Sequence, residues 1–197
     1  KNSTVKGGNL ELDYPPVWLN NVVWKSENCK IELPGGTAIC LNNNVQFNSD
    51  SDCITSLNSY GSMLRAHQAT FTEFLCIYDQ SFAALTGETT FLAENAQRIS
   101  FGAFSDSVVM ANQMVFHKIA DPNIRLQSSA YVKADAVTYT QGDARDLITE
   151  IEDGCDYLVG REAAKANPQA PSSGSASDAT VPTTTATASE QETKRDA

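Results

Sequence analysis

The groups in this chain that could do chemistry are two histidines, five cysteines and a scatter of carboxylates. His67 and His117 lie fifty residues apart, and neither belongs to an HExxH pair, which would set two metal ligands on one helical face. Each therefore reads as a packed or surface side chain rather than a general base. Cys29, Cys40, Cys53, Cys76 and Cys155 show no CxxC spacing and no neighbouring histidine, so no metal site is expected. Phosphate cradling needs a glycine-rich turn, and neither GxxxxGKS/T nor GxGxxG occurs, so no cofactor is implied. The run Gly102-Ala103-Phe104-Ser105-Asp106-Ser107 lacks the second glycine of a GxSxG nucleophile elbow. No catalytic, cofactor-binding or metal-ligating residue is assigned.

Dispersed carboxylates carry no local motif, so Glu73, Asp79, Glu88 and Glu94 stay open as an acid–base set, although helical spacing reads them as a solvated face. In Asn48-Ser49-Asp50-Ser51-Asp52 two carboxylates at i and i+2 could begin a calcium loop. The glycine and distal glutamate of such a loop are missing, and helix capping accounts for them better. Trp18 and Trp24, with Tyr14, Pro15 and Pro16, could form an aromatic patch for carbohydrate or protein contact. A core position for Trp24 in a strand is the stronger reading.

The elements that would position these groups are read from periodicity. Residues 1–16 read as a flexible arm, with a single glycosylation sequon at Asn2. Val22-Val23-Trp24, Lys30 to Leu33 and Thr37 to Leu41 are rich in strand formers, and Pro34-Gly35-Gly36 between the last two predicts a β-hairpin. Ile54, Leu57, Gly61, Leu64, Gln68, Phe71, Leu75, Tyr78, Phe82 and Leu85 recur at steps of three and four, the seam of a long helix. Asp50 to Asp52 would cap its start and Gly87 its end. Short helices are expected over Phe91 to Arg98 and Asp106 to Ile119, and strands over Ile99 to Phe104, Ile124 to Gln127 and Ala130 to Thr140. From Asp143 an amphipathic helix would carry Leu147, Ile148, Ile151, Leu158 and Val159 on one side, turning Cys155 inward. No repeat of fixed period is visible.

These elements assemble into an α+β fold: an N-terminal β-hairpin or small antiparallel sheet, packed with a long central helix and a C-terminal amphipathic helix. The organisation is an arm over 1–16, one globular domain over 17–165, and a disordered Ser/Thr/Ala/Pro-rich tail over 166–197.

A formal charge of -10 over 197 residues argues against nucleic acid or an anionic membrane surface as partner. No apolar run approaches the ~20 residues that span a bilayer. The start at Lys1 suggests a removed signal peptide. The tail carries Ser, Thr and Pro in the proportions of O-glycosylated stalks, and Lys194-Arg195 is a dibasic pair followed by Asp196-Ala197. That tail resembles those of fungal secretory precursors cut by a kexin-like protease. The resemblance implies secretion and processing at Lys194 and Arg195. In such a compartment the five cysteines are expected to form two disulfides, the odd one able to bond a second chain.

The expected function is that of a secreted fungal binding protein and not an enzyme: an effector, a virulence-associated toxin component, or its precursor. It would meet protein or carbohydrate at a cell surface. Two other readings are a cell-wall or surface glycoprotein on a Ser/Thr stalk, and a secreted hydrolase whose dispersed carboxylates share a cleft.

Overall fold

The computed structural model describes residues 2–11, 17–34, 36–94 and 99–160 of the chain. It is a β-solenoid in which all strand pairings are parallel, not an α+β domain. The strands are β1 (Asn2–Glu11), β2 (Val17–Asn20), β3 (Val23–Glu32), β4 (Ile39–Asn42), β5 (Gln46–Asp50), β6 (Cys53–Tyr60), β7 (Met63–His67) and β8 (Thr70–Tyr78). They continue as β9 (Phe82–Phe91), β10 (Phe101–Phe104), β11 (Val108–Phe116), β12 (Ile124–Gln127), β13 (Tyr131–Tyr139), β14 (Thr149–Ile151) and β15 (Asp156–Val159).

Three ladders wind around one core. Face A stacks β1, β3, β5, β7, β9, β11, β13 and β15 by their leading residues. Face B pairs the end of β3 with the starts of β6 and β8 and the ends of β9, β11 and β13. Face C stacks β2, β4, the ends of β6 and β8, then β10, β12 and β14.

Alternation within each strand sends every second side chain inward, and in-register stacking turns those positions into columns. Trp24, Phe47, Leu64, Ala83, Val109 and Val132 line the inside of face A. Ile31, Ile54, Phe71, Phe91, Phe116 and Tyr139 line face B. Ile39, Leu57, Leu75, Phe101 and Ile124 line face C. Phe91 stacks on Phe71 at 5.8 Å and on Phe116 at 4.9 Å between ring centres, so neighbouring rungs lock through their aromatic faces.

The corners explain how the chain turns. Between faces C and A, Asn21, Asn43, Asn44, Gly61, Asp79, Gln80, Ser105, Asp106, Ser128, Ser129 and Gly154 all have positive φ. Asn, Asp and Gly reach this left-handed region at least cost. The residue that follows is small and turned inward in most rungs: Val45, Ser62, Ser81, Ser107 and Ala130 are buried.

The expected central helix is β6 to β9. Leu57, Ser59, Ser62, Leu64, Ala66, Ala69 and Phe71 are successive inward residues, all buried. Two strand steps of two and one corner step of three make seven, so a strand–corner–strand path reproduces the period of a helical seam. The intervening Ser59, Ser62, Ala66 and Ala69 are small or polar, which hides the true pattern.

The C-terminal helix is likewise absent. Asp143 caps only a 3-10 turn over Ala144–Asp146, and then β14 and β15 follow, leaving Ile148, Ile151 and Leu158 exposed. The segment expected as a helix over Asp106 to Ile119 contains β11, and Phe91 closes β9. The predicted hairpin does not form: β3 and β4 are not paired with each other and belong to different faces. The strands expected over Ile124 to Gln127 and Ala130 to Thr140 are β12 and β13.

The segment read as an arm contributes β1, parallel to β3. A fixed repeat escapes notice because the rungs differ in length. Successive partners on face A are separated by as few as 17 residues, from Gln46 to Met63, and as many as 26, from Phe82 to Val108. Among the described residues no helix is long and apolar enough to cross a membrane.

Candidate functional site

The five cysteines are not brought together, and no disulfide joins them. Cys40 and Cys76 share an outward column on face C, but Asn58 stands between them. Two strand spacings, about 9.6 Å, exceed the ~7 Å over which a disulfide can close. Cys29 and Cys53 lie on adjacent strands, where Cys53 opposes Lys30, so their side chains point to opposite sides of the wall. Cys155 sits at the last corner. Burial raises the Cys40 and Cys53 thiols and pushes Cys76 up to about 12, against a hydrogen bond with Tyr78 that lowers it. Such thiols are poor nucleophiles at neutral pH.

The carboxylates put forward as an acid–base set are likewise dispersed. Glu73 accepts hydrogen bonds from Gly36 N and Ser56 Oγ, both at 3.3 Å. Asp79 occupies the corner between faces C and A, Glu88 accepts from Thr90 Oγ1 at 3.4 Å, and Glu94 follows the end of β9 beyond face B. The two histidines contact threonines of the next rung: His67 Nδ1 lies 3.1 Å from Thr86 Oγ1 and His117 Nδ1 lies 3.3 Å from Thr140 Oγ1. Ser105 and Asp106 are corner residues with positive φ.

Trp18 and Trp24 do not form a patch. Trp18 projects outward on face C, whereas Trp24 packs inward, its ring 5.7 Å from that of Phe47. Asn2 lies in β1, and Lys194 and Arg195 lie outside the described residues.

Asp50 and Asp52 cap no helix. Asp50 accepts from Ser51 Oγ at 3.0 Å at the surface. Asp52 is 1% exposed, inside the solenoid. Its carboxyl accepts from Ser26 Oγ, from Ser49 Oγ at 2.7 Å and from Cys29 N at 2.8 Å, while Trp24 Nε1 donates to Ser26 Oγ at 3.0 Å. A buried carboxyl is tolerable because three donors, two hydroxyls and a backbone N–H, converge on it.

Two outward surfaces stand out. On face C, Tyr60, Tyr78 and Phe104 form a ladder with ring centres 4.8 and 4.7 Å apart and planes within 12°. Gly102 leaves room for the Phe104 ring, since a Cβ there would collide with it. The ring faces are spent on one another, and the ladder covers buried Cys40, Phe74 and Cys76. It is packing laid on the outside of the sheet.

Face A is different. Met63, Phe82, Val108 and Tyr131 share one outward column, and Arg65, Ala84, Met110, Lys133 and Leu158 the next. Met63, Phe82 and Met110 are 36%, 38% and 38% exposed on three successive strands, an apolar surface of the kind that marks contact sites, and Leu158, 49% exposed, lies beyond Lys133. Where small Ala84 stands beside Met110, the face dips into a depression of about 140 Å³ lined by Thr86, Asn112, Lys133 and Asp135.

Asn112 points outward by alternation from Met110, and β9 bulges opposite it, Thr86 and Gly87 together facing Asn112 between the pairs Ala111–Leu85 and Gln113–Glu88. A bulge re-aims a side chain and is common beside binding sites. Asn112 Oδ1 accepts from Gly87 N at 3.2 Å, and Asn112 Nδ2 donates to Asp135 Oδ2 at 2.8 Å. The amide and the carboxylate are thus held in place before anything binds. Sequence reasoning missed this group because Gly87, Asn112 and Asp135 lie on three different rungs; the inward step of three from Ala111 to Met114 is the turn from face A to face B, repeated at Ala134 to Val137. Among the described residues no cluster of side chains is suited to a metal ion. No family model, no characterised protein and no solved structure matches this chain, so the site is read from its own residues.

Proposed function

We propose that this chain is a secreted fungal binding protein, an effector, toxin component or precursor processed at Lys194-Arg195, that acts by contact through face A of its solenoid. The observation that carries the reading is the exposure of Met63, Phe82 and Met110 on neighbouring columns of one sheet face. Large apolar side chains rarely stay in water side by side unless a partner covers them. Met63, Phe82 and Met110 stand on three successive strands ~4.8 Å apart, which suits an extended partner better than a compact one. The Ser/Thr-rich tail supports passage through a secretory pathway and also favours a second reading, a wall or surface glycoprotein held on a stalk.

Labelled full-length protein from a fungal secretory host, applied to intact cells, tests the proposal. Phe82→Asp with Met110→Asp is expected to reduce retention at least tenfold, while Trp18→Ala on face C leaves it unchanged. Equal retention of both variants would overturn it. Recovery from the wall pellet rather than the medium would favour the stalk.

A further inference from the structure

From the depression on face A we infer that the ligand is carbohydrate, its sugar rings lying along the solenoid axis and one ring seated between Met110 and the Asn112–Asp135 pair. This rests on the reading of face A as the binding face and names the ligand class for it.

The size limits the occupant first. About 140 Å³ on an open face is a seat for one sugar ring or one side chain. The chemistry of the rim then selects between them. Asn112 uses its oxygen on Gly87 N and one amide hydrogen on Asp135, leaving its second amide hydrogen to donate. Asp135 has its other carboxylate oxygen left to accept. A donor and an acceptor fixed side by side match neighbouring hydroxyls, each of which can donate and accept.

Lys133, two residues earlier on the same side of β13, adds further donors. Its charge offsets that of Asp135, so the rim as a whole attracts neither a strong anion nor a strong cation. An apolar floor of Ala84 and the side of Met110 suit the C–H face of a ring.

The neighbouring column extends the site. Phe82, Val108 and Tyr131 stand outward on successive strands, placing two aromatic rings about two strand spacings, ~9.6 Å, apart beside the depression. Unlike the rings on face C, neither is stacked on another aromatic side chain among the described residues. Their faces remain to stack on sugar rings. A polypeptide segment would instead bring backbone donors and acceptors that need an open strand edge, and face A here offers paired strands.

The test is titration of the full chain with cellohexaose, laminarihexaose and chitohexaose, followed by NMR. At least one should bind, with shifts confined to Phe82, Ala84, Thr86, Met110, Asn112, Lys133 and Asp135. Asp135→Ala should weaken association at least tenfold and Phe82→Ala at least threefold. Lys133→Ala, at an exposed position, serves as a further variant should Asp135→Ala fold poorly, and should weaken it about threefold. Binding to none of the three, shifts on face B or C, or unchanged affinity in folded variants would overturn the proposal. Cell retention that depends on Phe82 and Met110 but is abolished by protease treatment of the cells, not by glycosidases, would assign a protein partner: the binding reading survives and the carbohydrate does not. No retention on any cell surface would remove both.

Discussion

Two stretches of the same interior solve the problem of filling a solenoid in opposite ways. Around β3 and β5 the core holds a carboxyl, two hydroxyls and an indole N–H, all joined through Asp52. Around β8, β9 and β11 the equivalent space is filled by stacked phenylalanines, Phe71, Phe91 and Phe116. The backbone is the same in both, parallel strands in register with left-handed corners. The difference teaches that the rung specifies volume and direction, not polarity, provided that each buried donor meets an acceptor.

The largest test of that statement falls on the aromatic stretch. Phe91→Ala removes the ring that both neighbours stack on and should cost about 3–5 kcal/mol, read as a fall in urea midpoint and in Tm. In the polar stretch Asp52→Ala should cost about 2–3 kcal/mol, because Ser26, Ser49 and Cys29 N lose their shared acceptor while less packing is lost. Asp52→Asn should cost less, since the amide oxygen still accepts and the two hydroxyls can turn to accept from its nitrogen. If Asp52→Ala proved costlier than Phe91→Ala, the polar stretch would be the firmer of the two.

A smaller effect separates the inside from the outside of the wall. Cys76 has its pKa raised by burial from 9.0 to about 12, and burial also raises Tyr78 and Tyr157. Above about 9 the unfolded chain releases the Cys76 proton while the folded chain keeps it, so the unfolded state then holds fewer protons than the folded one. Stability from this group is fully present below about pH 9 and is lost progressively as pH rises towards about 12. Urea denaturation across that window should show the decline, and Cys76→Val should lessen it, leaving the share of Tyr78 and Tyr157. The smallest effect is at the last rung, where Arg125 and Glu150 pair at 2.6 Å in an exposed position. Glu150→Gln should cost no more than about 1 kcal/mol and shrink further in high salt.

Local strands were legible where one rung segment stood free of interference: Ile124 to Gln127 and Ala130 to Thr140 show plain alternation and are strands. The winding was not, for a physical reason. Corners that advance the inward pattern by three imitate helical spacing, and buried Ser59, Ser62, Ala66 and Ala69 are invisible to a hydrophobicity count. Turn residues misled as well. Gln80 and Ser105 take left-handed φ that a reading based on glycine passes over. The groups around the depression were hidden because parallel stacking joins residues far apart in sequence: Gly87, Asn112 and Asp135 meet only once the chain has wound twice. Tryptophans drew attention by type, yet alternation sent Trp18 and Trp24 to opposite sides of the wall.

The uneven rung length has a practical meaning. Each layer touches only the layers above and below, so material can be added or removed in whole layers without rewriting the rest. Excising residues 46–62 would set Val23 opposite Met63 and shorten the rod by ~4.8 Å, one graduation, with the depression beside Asn112 untouched. The molecule is in that sense a gauge, and lengthening it a layer at a time offers a way to set how many contacts its flat side presents.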